Sequence, residues 1–250
     1  MSTFSPAPGA APVAQQVLTQ ASMEARLMLR NGEQLLLAIV IPVIVLIGGV
    51  QGAEKVDLSY GVDTFTPGVL ALAVMSTAFT ALAIATGFER RYGVIKRLGT
   101  SPLSRTSLLL GKVLALLAVE VLQVAVIAGV GFSLGWDPDA SVLGALAAVV
   151  LGTSAFAALG LLVAGSLRAE ATLAAANLVY LLLMAGGAVV LPATAYGSFG
   201  DVVTYLPSGA LGEAMRTAFI EASVAWRELG VLVAWTVVGA VATARTFKWE

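Results

Sequence analysis

Apolar residues run along this chain in long blocks separated by short polar stretches, and the block lengths decide what the blocks are. Six of them, Leu35–Val50, Thr66–Phe88, Leu108–Gly135, Val142–Leu167, Ala171–Leu191 and Leu229–Ala244, are long enough, or nearly so, to cross a bilayer. A helix needs about 20 apolar residues to span a hydrocarbon core of about 30 Å. The first and last blocks are short and need flanking residues or local thinning to span. Pro42 in the first predicts a kink, with neighbouring helices satisfying the freed carbonyl. Only Arg168, Ala169 and Glu170 separate the fourth and fifth blocks, which predicts a tight helical hairpin.

Two further stretches carry a helical period without being apolar throughout. From Val13 to Glu33, Leu18, Ala21, Ala25, Met28 and Leu29 fall on one arc, and Arg26, Arg30 and Glu33 on another. Just before an apolar block, that pattern predicts an interfacial helix lying in the headgroup plane. Between Pro192 and Glu228, Leu211, Met215, Ala218 and Phe219 share one face, with Glu213 and Arg216 directed elsewhere. Glu213, Arg216 and Glu221 are too costly at membrane depth for a seventh span, so half-inserted helices are expected there. Residues 1–14 are small, Pro-rich and uncharged and predict a disordered tail; residues 15–250 form one membrane domain. The resulting fold class is an all-α polytopic membrane protein with six transmembrane helices.

Composition agrees. Only 12% of residues are charged, about half the usual share, and the mean hydropathy is +0.92. Eleven of the fourteen Lys and Arg residues fall on one side if both termini are cytoplasmic, leaving Lys55, Arg216 and Arg227 outside. The positive-inside rule therefore places both ends in the cytoplasm and the Pro192–Glu228 segment outside. With no Cys and no His, disulfides, thiol catalysis, Cys/His zinc sites and His-ligated haem are excluded. No phosphate-binding loop is present: Gly111-Lys112 is followed by Val113 and lacks the earlier glycine.

Candidate chemistry is sparse. Glu120 sits near the middle of the third block with Gln123 one turn on, and Asn177 lies within the fifth. Intramembrane carboxylates are expensive and point to function, so Glu120 and Gln123 are candidates for a translocation pathway, with Asn177 as a further one or as interhelical glue. Ser76, Thr77, Thr80 and Thr86 are expected to bond their own backbone carbonyls. Glu120 also leaves open a proton-coupled secondary carrier or an intramembrane enzyme, though at membrane depth the spans offer no Asp, His or Lys as a second catalytic group.

The stretch from Phe88 to Lys112 holds Arg90, Arg91, Lys96, Arg97, Arg105 and Lys112. Topology alone accounts for such charge, and it does not indicate nucleic acid. Its internal order is more specific: Glu89-Arg90, Gly93, Lys96-Arg97-Leu98, Ser101-Pro102-Leu103-Ser104 and Leu110-Gly111-Lys112. This order resembles the cytoplasmic loop of ABC-2 type transporter permeases. The likeness extends from about Val17 to Lys248, with Leu206-Pro207 and Arg216 similar to the family's external helix. It implies an ATP-driven exporter subunit that dimerises with a second permease, identical or related, in the plasma membrane of a prokaryote. ATP and Mg would sit on two copies of a separate ATP-binding subunit, with no cofactor on this chain. Arg26 and Arg30 of the interfacial helix and Glu89, Arg90, Gly93, Lys96, Arg97, Leu98 and Pro102 of the loop would be the coupling residues. A short helix from about Glu89 to Thr100, ended by Pro102, is expected to carry them. The short external loop Gln51–Phe65 fits exporters of drugs, lipids or polysaccharides, and the small apolar spans suggest an amphipathic or lipid-like cargo.

Overall fold

The protein was described from a computed structural model covering residues 11–32, 36–55, 60–99 and 104–246. Every regular element among these is helical, and six helices are long and apolar enough to cross a membrane. In chain order they are α1 (Val13–Arg30), α2 (Ile41–Lys55), α3 (Val62–Arg91), α4 (Val94–Gly99), α5 (Arg105–Ser133), α6 (Val142–Ser166), α7 (Ala169–Gly186), α8 (Gly200–Val203), α9 (Pro207–Ile220) and α10 (Trp226–Thr246). The expected tail falls mostly on residues 1–10, outside the described residues, as do Leu35, Pro102 and Lys248.

α3 is the axis of the fold. It is buried along nearly all of its most apolar stretch, whereas the other spans show much of their surface to the outside. α2, α5, α6, α7 and α9 all pack on it. Small residues permit this: a Cβ on Gly160 of α6 would lie 2.8 Å from the Phe79 carbonyl, and one on Gly87 of α3 would lie 3.2 Å from Thr172 of α7. Without bulk at these points, helix backbones approach closely and recover dispersion energy that lipid cannot offer. Phe79 and Phe156 meet edge to face beside the first of them.

Three local departures from the expected pattern have physical causes. The turn before Pro42, Leu36–Val40, is π-helical, and the carbonyl four residues before the proline, that of Ala38, accepts from Gln123 of α5 at 2.6 Å, so a neighbouring helix satisfies it as expected. A second π-helical stretch, Ser76–Ala81, interrupts α3 near its middle. The fifth span stops at Gly186 rather than Leu191, because Gly187 leaves the helix and Ala188 adopts a left-handed φ of 53°.

Residues 193–220 form a 3-10 turn (Ala193–Phe199), α8 and α9. Pro207 opens α9 at its first turn, where a missing N–H is harmless. Leu211, Met215 and Ala218 form the expected buried face, and Phe219 meets the Trp136 ring at 5.3 Å. Arg216 does not point away from this packing as expected. It is 5% exposed, turned into the space between α9 and the chain leaving α7. There its guanidinium donates to the carbonyls of Ala188 (2.9 Å), Val189 (3.2 Å) and Val190 (3.3 Å) and pairs with Glu213. Buried beside protein carbonyls, the charge avoids the lipid that made it look prohibitive.

Candidate functional site

At the end of the bundle opposite α9, α1, α3 and α5 converge on one lysine. Ser104 caps α5 by accepting the Ser107 N–H at 3.0 Å, which places Gly111 and Lys112 on its second turn. Gly111 then faces α1 so closely that a Cβ would fall 2.6 Å from Cγ of Gln20. This close approach explains the glycine, and the next residue explains the basic group. Lys112, 6% exposed, donates from Nζ to Glu24 of α1 and to Glu89 of α3, each at 2.8 Å. Gln20 Nε2 donates to the same Glu24 oxygen at 2.8 Å. Two carboxylates share one cation, and Glu89 Oε2 has no hydrogen-bond partner among the described residues. Three helices are thus held together by point charges in a site poorly open to water, where such pairs are weakly screened.

The loop residues that follow divide into two groups. Arg90 donates to the Ala164 carbonyl near the end of α6, a position favoured by the helix dipole, and Arg91 pairs with Glu170 in the first turn of α7. These bonds tie the α6–α7 hairpin to the end of α3. The expected helix from Glu89 to Thr100 is therefore not continuous: Glu89 to Arg91 finish α3, the chain turns at Tyr92 and Gly93, and only Val94–Gly99 forms the separate α4. Gly93 carries a φ of 68°, which a glycine adopts without penalty and which redirects the chain. Lys96 and Arg97 are exposed on α4 beside Tyr92 and Val94. The Leu98 side chain, like Pro102, lies outside what is described.

α1 inverts the usual amphipathic arrangement. Its protein-facing side holds Val17, Gln20, Ala21 and Glu24, while Leu18, Met23, Leu27, Arg26 and Arg30 face outward. These last residues line a shallow open groove together with Thr19 and Ser22.

At membrane depth, Glu120 and Gln123 lie inside the packing of this one chain, each 1% exposed. Gln123 accepts from Thr77 at 2.9 Å and donates to the Ala38 carbonyl at 2.6 Å, bridging both π-helical stretches. Thr77 therefore spends its hydroxyl on α5 rather than on its own backbone. Glu120 accepts from Thr153 of α6 at 2.7 Å. Asn177 is half-buried on α7. No group of three acidic residues is placed to hold a metal ion among the described residues. Lys112 and Arg216 stood out in the sequence but their partners did not, and Glu24 was not picked out at all.

A sequence profile described as ABC-2 family transporter protein matches residues 12–245, nearly the whole chain. The protein belongs to this family. It is a multi-pass membrane protein and the transport membrane subunit of an ABC transporter, not itself the ATPase. Membership implies association with an ATP-binding subunit. Comparison with curated proteins gives no significant match.

Proposed function

We propose that this chain is the permease of an ATP-driven exporter, paired with a second permease over two ATP-binding chains that hold ATP and Mg. The observation that carries this reading is the Glu24–Lys112–Glu89 cluster, which locks α1, α3 and α5 into one body. Around it stand four exposed cations, Arg26 and Arg30 on α1 and Lys96 and Arg97 on α4. In this reading that end is cytoplasmic, consistent with the positive-inside count. The exposed cations and Tyr92 meet an acidic, partly apolar cleft on the ATPase, and its motion passes through the cluster into the two long helices. Glu89 and Arg90 act from within the bundle, and Gly93 sets the angle at which α4 is presented. The outward apolar side chains Leu18, Met23 and Leu27 rest in the membrane interface of a prokaryotic plasma membrane. The cargo is amphipathic or lipid-like, as the small apolar linings of the spans suggest.

The test is co-purification with the ATP-binding partner, followed by ATP-driven transport in liposomes. Lys96→Glu with Arg97→Glu should abolish partner binding. Full partner binding by that variant sinks the reading. So does transport by the permease alone when driven by a proton gradient.

A further inference from the structure

α1 carries two arginines that the cluster around Lys112 does not use. It packs along α5 with Val17, Gln20, Ala21 and Glu24, and its opposite face is exposed. Thr19, Ser22, Arg26 and Arg30 recur on that face at steps of three and four, so they form one polar stripe. Met23 and Leu27 flank the stripe on one side and Leu18 on the other, and together these residues line the shallow open groove. Glu24, the one acidic residue of α1, is turned away to Lys112. The two positive charges of the stripe therefore have no carboxylate on their own helix to balance them.

The depth of this face follows from α5. Asp137 and Asp139 are exposed just past its end, which puts one membrane boundary near Ser133. Lys112 lies about 32 Å back along the helix at about 1.5 Å per residue, and a hydrocarbon core is about 30 Å thick, so the other boundary falls near the lysine. Along α1, Gln20 meets Gly111, Glu24 meets Lys112, and Met28 packs on the cluster of Leu82, Leu116 and Ala157, a turn further in. Soon after α1, the Ala38 carbonyl bonds Gln123, about 16 Å inward from Lys112. α1 is thus an inclined interfacial helix whose last turns enter the leaflet. Arg26 and Arg30 stand on those turns and face away from α5. A guanidinium is costly in hydrocarbon. Helical side chains lean toward the N-terminus, here the headgroup side, so both reach back to phosphate level beside the Ser22 and Thr19 hydroxyls.

We propose that this face of α1 binds an anionic phospholipid of the leaflet on the Lys112 side. Arg26 and Arg30 hold its phosphate in charge-assisted bonds, the Ser22 and Thr19 hydroxyls donate to it, and the acyl chains run along Met23 and Leu27. An anionic lipid fits better than a zwitterionic one, whose own ammonium would meet the two guanidinium groups. One phosphate engages only part of two guanidinium forks, which leaves N–H groups for the ATPase contact proposed above. Glu24 is on the reverse of the same turns, so the bound lipid is joined through one helix to the Lys112 cluster. The site depends neither on that ATPase contact nor on the direction of transport.

Native mass spectrometry of the full-length chain, delipidated in detergent and titrated with phosphatidylglycerol or phosphatidylcholine, tests this. The wild-type chain should bind one phosphatidylglycerol in preference to phosphatidylcholine. Arg26→Gln with Arg30→Gln should weaken that binding about tenfold or more. Ser22→Glu keeps both arginines but sets a carboxylate one turn before Arg26, and it should displace the lipid to a similar extent. Lys96→Gln with Arg97→Gln removes equal charge from α4 and should change nothing. The proposal is overturned if the wild-type chain shows no preference, if either α1 variant keeps full binding, or if the α4 variant loses as much. An arginine double variant that keeps the lipid but no longer binds the ATP-binding partner gives this face to the ATPase instead.

Discussion

Lys112 and Arg216 are almost equally withdrawn from solvent, 6% and 5% exposed, yet they hold the two ends of the protein in different ways. Lys112 gathers carboxylates from two other helices, one of them on α1, far away in sequence. Arg216 pairs with Glu213 one turn away on its own helix and collects three successive carbonyls of the segment leaving α7. The ammonium is a compact point charge that tolerates changes of angle; the guanidinium is a planar fork that fixes the groups it binds. One end is thus a joint between elements and the other a clamp on a backbone shape. That shape needs a clamp, since Ala188 is held at a φ disfavoured for any residue with a side chain.

The two sites should respond unequally to damage. Arg216→Ala is expected to have the largest effect, about 3–5 kcal/mol, because it strands a partly buried carboxylate and three carbonyls. Arg216→Lys should recover only part of this, as one ammonium cannot replace the fork. Thermal unfolding followed by tryptophan fluorescence in detergent measures both. A full recovery by lysine would erase the distinction between joint and clamp. Lys112→Met should cost about 3 kcal/mol, since two carboxylates then face each other without a cation. Glu89→Gln should cost only about 1 kcal/mol, because Glu24 still pairs with the lysine and a repulsion is removed. Melting temperatures of the two variants side by side check that order, and equal losses contradict the sharing of one cation.

Smaller effects sharpen the same contrast. A Cβ on Gly68 would fall 2.3 Å from the Val190 carbonyl, so Gly68→Ala should strain the clamped segment by about 1–3 kcal/mol. Limited proteolysis between residues 187 and 206 should accelerate in that variant and not in Glu89→Gln. The Arg91–Glu170 pair, with side chains 49% and 63% exposed, should be worth less than about 0.5 kcal/mol. A double-mutant cycle with Arg91→Ala and Glu170→Ala measures it, and added salt should shrink its coupling energy while leaving the loss in Lys112→Met largely unchanged.

Several features were legible before any coordinates because they depend on local rules. Block length identified the spans, the three-residue link predicted the α6–α7 hairpin, and the order from Glu89 to Lys112 pointed to the family. What the helical period of α9 could not reveal was the neighbour of each face. Arg216 reads as a solvent or headgroup residue by chemistry, and only the carbonyls of Ala188–Val190 make its burial tolerable. The continuous loop helix failed for a similar reason. Gly93 is neutral in a helical count, but the bonds of Arg90 and Arg91 to the α6–α7 hairpin end α3 just before it. Glu24 was not picked out in the sequence at all; its partner Lys112 reaches it only because Gly111 lets α5 come against α1.

The sequence by itself determined that the chain crosses a membrane in six helices and which stretch resembles a coupling loop. Both follow from hydrophobic length and residue order, which survive without knowledge of neighbours. Only the tertiary structure decided which charges are spent inside the protein and which remain on its surface. A charge is affordable in a low-dielectric interior only beside particular partners, and those partners come from helices that sequence distance does not connect.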